Sequence, residues 1–123
     1  MKTKQMLRGF LAAATLLGLT APAHALTQRD YSHDLVQHQT EMRACMGDHR
    51  GDVTVSLVVS GRGRLESSSV GSATSDGMRE GGACVLREAQ SWQFLRSTSG
   101  AHVSYVLTAT DRAVQVRRAP RRR

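Results

Sequence analysis

Between residues 53 and 60 apolar and polar side chains alternate, with Val53, Val55, Leu57 and Val59 on one side and mostly polar residues on the other. A period of two is the mark of a half-buried strand. Gly61-Arg62-Gly63-Arg64 supplies a glycine-rich turn, after which residues 65–70 return as a serine-rich strand, so a β-hairpin is expected. Upstream, Leu35, Met42, Cys45 and Met46 lie near one face of a helix, with Gln37, Glu41 and Arg43 away from it. Asp30 or Ser32 can cap that helix, and Gly47 marks its end. Downstream, Ser75 can cap a second helix in which Met78, Gly82, Val85 and Ala89 repeat at helical spacing and Trp92 extends the stripe. Paired Gly81 and Gly82 cost roughly 2 kcal/mol of helix propensity, so packing must hold this helix, or it must start after Gly82. A last strand over residues 101–109 alternates Val103, Tyr105 and Leu107 against His102, Ser104 and Val106, and the tail then leaves the domain. The order is α, β, β, α, β.

The first 25 residues have a different pattern. Lys2, Lys4 and Arg8 form a positive start, residues 10–19 are apolar apart from Thr15 and Gly18, and Ala23-His24-Ala25 fits a signal-peptidase site. The apolar run is too short to span a bilayer, which takes roughly 20 residues. Cleavage after Ala25 would leave Leu26 as the mature N-terminus of a periplasmic or secreted protein. The predicted organisation is a signal peptide at 1–25, one domain at 26–116 and an arginine-rich disordered tail at 117–123.

Export changes the meaning of the composition. The chain has 17 basic and 10 acidic residues and a net charge of +7. Three of the bases lie in the leader, and Arg117, Arg118, Arg121, Arg122 and Arg123 crowd the end, so the body is close to neutral. A basic nucleic-acid-binding fold is therefore not expected. Roughly 100 mature residues support one domain with a modest core, in the size range where cross-links help. Cys45 and Cys84 are the only cysteines. In an oxidising compartment an even count predicts a disulfide, against the competing reading of two buried thiols too far apart to pair.

With that order in hand, the chain resembles the C-terminal domain family of the gliding-motility proteins AgmX and PglI, a branch of the TonB C-terminal-like fold. Arg43-Ala44-Cys45 resembles the family's alanine-cysteine helix, and Gly51 stands before the alternating strand of Val53, Val55 and Leu57. Gly63-Arg64-Leu65 fits the element after the turn, with Ser68 and Val70 at the small and apolar positions that follow. Cys84-Val85 resembles the cysteine-valine of the second helix, and Trp92-Gln93-Phe94 the segment leading to the final strand. The family's following proline is replaced by Leu95, and its tyrosine-proline ending is missing. The resemblance covers roughly residues 33–109. It implies an α+β fold, a small two-layer domain in which a three-stranded antiparallel sheet carries two helices on one face. It also supports the disulfide, and it implies a role in protein binding in the cell envelope.

Candidate catalytic groups are weak. Ser32-His33-Asp34 has the residue types of a hydrolase triad, but neighbouring helical positions project about 100° apart and cannot converge. Cys45 and His49, four apart, would make a thiolate-imidazolium pair only if no disulfide forms. His33, His38, His49 and His102 lack a metal-ligand spacing, Gly61-Arg62-Gly63 joins strand to strand where a dinucleotide loop joins strand to helix, and Arg50-Gly51-Asp52 is a tripeptide common by chance. Trp92 and Phe94 read as core anchors.

No cofactor, metal or enzymatic activity is expected. The expected function is an exported interaction module whose partner is another envelope protein or peptide segment. An open edge belongs either to the serine-rich strand or to the final strand, and the extended segment is expected to add to the final strand, where His102, Ser104 and Val106 would read it. The alternative is a cationic-tailed protein that meets anionic envelope surfaces, lipopolysaccharide or phospholipid, through Arg117, Arg118 and Arg121 to Arg123.

Overall fold

A computed structural model describes residues 30–120; the expected leader, the first mature residues and Arg121 to Arg123 lie outside the described residues. In chain order the elements are α1 (Ser32–Val36), α2 (Gln39–Met46), β1 (Gly51–Val59), β2 (Leu65–Ala73), α3 (Asp76–Ala89), β3 (Ala101–Ala109) and β4 (Val114–Arg118). The strands form one antiparallel sheet in the order β2-β1-β3-β4. The class is α+β, as expected, with one strand and one helical segment more than the sequence suggested.

The alternation in β1 survives intact. Val53, Val55, Leu57 and Val59 are buried, and they oppose Leu107, Tyr105, Val103 and Ala101 across the β1–β3 ladder. The helices pack on this face, adding Leu35, Met42, Met46, Met78, Val85, Leu86 and Ala89 to the same core. Trp92 lies beyond the end of α3, yet it and Phe94 are buried there as anticipated, with Phe94 edge-on to Tyr31 at 5.6 Å between ring centroids.

The first predicted helix is divided at Gln37 and His38. Its first segment starts with Tyr31 at the N-cap and no side-chain cap, so Ser32 is the first helical residue and not the cap. The Asp30 carboxylate instead accepts the Ser32 N–H at 3.0 Å. The break sets the His38 ring flat on Trp92, with centroids 3.9 Å apart and planes within 3°. The second predicted helix is continuous through its glycines, and Ser75 caps it by accepting the Met78 N–H at 3.1 Å. Packing accounts for the glycine pair: a Cβ on Gly81 would stand 2.6 Å from Met46 Sδ, and one on Gly82 would stand 2.9 Å from Val53 Cγ2. The missing side chains let α3 settle onto α2 and β1.

The hairpin turn is as expected. Ser60 N–H donates to Arg64 O and Gly63 N–H to Ser60 O, with Gly63 at φ 84°. A Cβ there would meet the Phe94 carbonyl oxygen at 2.1 Å, so only glycine fits.

The disulfide is present. Cys45 in α2 is bonded to Cys84 in α3 with Cα atoms 5.5 Å apart. Closing a loop of this length stabilises the fold by roughly 4 kcal/mol on the chain-entropy account.

Two expectations are corrected at the C-terminus. The chain does not leave the domain after residue 109: it turns at residues 110–113, where Thr110 N–H donates to Ala113 O, and returns as β4. Arg117 and Arg118 therefore belong to a strand and not to a disordered tail. Their side chains take opposite faces, as neighbours in a strand must. Arg117 pairs across from Val106 on the open face, 4.0 Å from Asp52, while Arg118 opposes Tyr105.

Candidate binding edge

With four strands, the sheet's two edges are β2 and β4, and they are finished differently. At β4 the Gln39 side chain acts as a short strand substitute: its Nε2 donates to Val114 O at 2.7 Å and its Oε1 accepts from Val114 N–H at 2.8 Å. The N-terminal segment is tied to the same side. Tyr31 N–H donates to the Tyr105 hydroxyl, which donates in turn to Asp30 Oδ1 at 3.0 Å. Burial pushes the Tyr105 phenol well above its ordinary value, and the Asp30 carboxylate accepting its proton pushes the same way. Burial raises the Asp30 carboxyl, but hydrogen bonds from Ser32 and Tyr105 and the Arg118 charge outweigh it, leaving its pKa below the ordinary 3.8.

At β2 no described strand or side-chain amide lies on the outer edge. The strand runs longer than expected, to Ala73, and bulges twice: residues 65–67 face Val58 and Val59 with Glu66 as the extra residue, and a second shift lies between the Val53 and Val55 pairings. Bulges at both ends are a common way to limit edge pairing. Between them, residues 67–70 keep regular register with Val58, Leu57, Ser56 and Val55, and Ser67 and Ser69 are exposed. One side chain reaches the strand from the helix layer, Arg79, whose Nη1 donates to Gly71 O at 2.7 Å.

Of the residues proposed as readers on the final strand, Ser104 and Val106 do not lie on an open edge, whereas His102 lies on the stretch of β3 beyond the β4 pairing. β3 pairs with β1 along its whole length and with β4 from Tyr105 to Ala109. Val106 is 8% exposed and lies opposite Arg117, and Ser104 O accepts the Ala119 N–H at 3.0 Å. The Ser104 and Ser56 hydroxyls share a hydrogen bond of 2.7 Å on the open sheet face, where Ser69 continues the rank across β2. His102 lies on the same face opposite Val58. Strand addition at Ser104 and Val106 is therefore blocked by β4, a strand that sequence reading missed. Its signal was the alternation of Val114 and Val116 with Gln115 and Arg117, hidden by the arginines that follow.

The catalytic candidates do not converge. His33 Nε2 meets Gln37 Nε2 at 3.2 Å, Asp34 accepts the Leu95 N–H at 3.1 Å, and the Cys45 sulfur is held in the disulfide. Arg50 is bound to Asp111 at 3.0 Å and to two carbonyls, and Asp52 accepts from Thr108 at 2.7 Å, so both ends of the Arg-Gly-Asp tripeptide are engaged within the fold. Among the described residues no three His, Cys, Asp or Glu side chains cluster as a metal site would require, and no helix is long and apolar enough to cross a membrane. No family model, curated protein or solved structure matches this chain.

Proposed function

We propose that this protein is an exported, non-enzymatic interaction module of the cell envelope that binds an extended peptide segment by strand addition along β2. The observation that carries the reading is the contrast of edges: β4 is occupied at Val114 by Gln39, whereas the regular stretch of β2 at residues 67–70 keeps an open row of backbone groups among the described residues. The resemblance to TonB C-terminal-like domains and the helix-to-helix disulfide, which suits an oxidising compartment, support it.

Proline substitution tests the reading. In a strand, consecutive N–H groups point to opposite sides, so of Ser68→Pro and Ser69→Pro one breaks the ladder to β1 and the other removes an outward donor. The outward variant is expected to keep its circular dichroism spectrum and lose the partner captured by crosslinking from the envelope fraction. Retained capture by that folded variant rules out addition at β2. Capture that instead disappears as salt rises, or on removal of residues 121–123, favours the charged terminus.

A further inference from the structure

The hydrogen bonds across the sheet fix which backbone groups of β2 face outward. Ser104 O accepts the Ala119 N–H, so Ser104 turns its backbone toward β4, and Ser56, opposite it, turns toward β2. Asp52 and Ser60 turn the same way, since Asp52 O accepts the Thr74 N–H and Ser60 N–H donates to Arg64 O. Ser56 and Val58 therefore exchange bonds with Ser69 and Ser67, and the N–H and C=O groups of Ser68 and Val70 point away from the sheet. Ser69 lies between them. It is also midway between the bulges: Glu66, the extra residue of one, stands three positions before it, and Ser72, within the other, three positions after.

An edge with this symmetry fits itself. We propose that the strand added at β2 is β2 of a second copy of this chain, antiparallel about a two-fold axis through Ser69. Ser68 then faces Val70 of the second copy and Val70 faces its Ser68, each pair exchanging both N–H to O bonds, with Ser69 against Ser69 on the axis. Glu66 meets Ser72, so bulge falls opposite bulge, and the sheet continues through β2 into the second copy with both helix layers on one face. The flank of α3 above β2 suits such an approach. Ala83 and Leu86 follow Arg79 there at i+4 and i+7; Ala83 is small and Leu86 is only 6% exposed. Charge is complementary at both ends, because Glu66 comes to lie next to the Gly71 carbonyl that Arg79 of the second copy holds. Asp76 stands three residues before Arg79, and Arg62 and Arg64 line one cavity with Glu66, so this attraction is small and the backbone carries the contact. The inference rests on strand addition at β2 and names an occupant of that edge, with which a segment of another envelope protein would compete.

The purified protein, with Cys45–Cys84 oxidised, is expected to show a monomer–dimer equilibrium in sedimentation velocity between about 10 and 500 µM, the weak range of a small edge contact. Ser69→Lys sets like charges against each other on the axis, and should keep the protein monomeric over that range with an unchanged circular dichroism spectrum. Ser69→Cys should cross-link copy to copy under mild oxidation, since a non-hydrogen-bonded pair sets Cα atoms about 4.5 Å apart. Ser67→Cys should not, because it faces Gly71 of the second copy and lies about 13 Å from its own counterpart.

A wild type that stays monomeric throughout, or a dimer that Ser69→Lys leaves intact, overturns the second copy as occupant. Cross-linking of Ser67→Cys as fully as Ser69→Cys overturns it too, since collision and not register would then be joining the copies. The edge is judged separately by Ser68→Pro, the outward proline variant. If the protein is monomeric and Ser68→Pro still loses the envelope partner, the edge stands and self-pairing alone falls; if Ser68→Pro keeps that partner, strand addition falls with it.

Discussion

The β2 and β4 edges of this sheet are built from similar backbone and end in opposite chemistry. β4 is short, has Gln39 bonded to both backbone groups of Val114, and has the Asp30–Tyr31 segment anchored to the neighbouring Tyr105. β2 is nearly twice as long, has serines in its middle and bulges near its ends, and is reached by one arginine from above. Cover, charge, shortness and bulges each limit pairing at an edge. The difference therefore marks β4 as an edge held by the fold at one end, Val114, and β2 as one limited to a short central window. That window is where an outside strand would fit.

The largest effect expected on both edges comes from the bond between the helices that serve them. Gln39 begins α2, Arg79 sits in α3, and Cys45–Cys84 joins the two. Cys45→Ala should cost roughly 4 kcal/mol and lower the Tm by about 20 °C in a domain of this size. If a melt without reductant shows a loss under about 5 °C, the helix layer is held by packing alone and the edges do not share a common support.

Tyr105 separates the edges more selectively, since its hydroxyl serves only the β4 side. Tyr105→Phe removes the hydroxyl that joins the Tyr31 N–H to Asp30, and should cost about 2 kcal/mol in urea denaturation while peptide binding at β2 is unchanged. The phenol also gives a pH signature. Its pKa is raised by folding, so the stability tied to the neutral form is complete below the ordinary 10.0 and is lost as pH rises beyond it. The wild type should therefore lose more stability than Tyr105→Phe on passing from about pH 9 to about pH 11. Parallel losses in the two proteins would remove Tyr105 as the alkaline anchor.

The parts of this fold legible in the sequence were those with a strong local period. β1 alternates over its whole length, Ser75 offers a cap in register with Met78, and the Gly63 turn has no tolerable substitute, so strand, helix and hairpin were readable. The disulfide followed from compartment and cysteine count. What local pattern could not supply was long-range. Gln39 looks like any exposed helical glutamine until Val114 is placed beside it, 75 residues away. β4 is five residues long and merges into arginines that read as solvated, so in the sequence alone the final predicted strand looks like an edge. The contact of Arg79 with Gly71 O was equally hidden, because the arginine acquires a direction only when packing fixes the rotation of α3.

Gln39 itself gives the next test in order of size. Gln39→Ala removes both bonds to Val114, a half-buried pair that water can partly replace, so the cost should be about 1 kcal/mol. Hydrogen exchange at the Val114 amide should accelerate, while the β1-facing amides of β2 keep their protection. If the Val114 amide exchanges as slowly in Gln39→Ala as in the wild type, packing and not the carboxamide closes β4, and the contrast between the edges weakens.

The smallest expected effect belongs to Ser69, and it decides how the open edge reads a partner. Ser69 is exposed on β2, in register with Ser56, whose own hydroxyl is already committed to Ser104. Removing the Ser69 hydroxyl strands no buried partner, so Ser69→Ala should change stability by less than about 0.5 kcal/mol. If backbone groups supply the affinity, the same substitution should leave peptide binding within about twofold of wild type, in contrast with the loss expected from the outward-facing proline variant. A drop of about tenfold in Ser69→Ala would move recognition from the backbone to the hydroxyl rank on the open face. The sheet face, and not the β2 edge, would then be the binding surface.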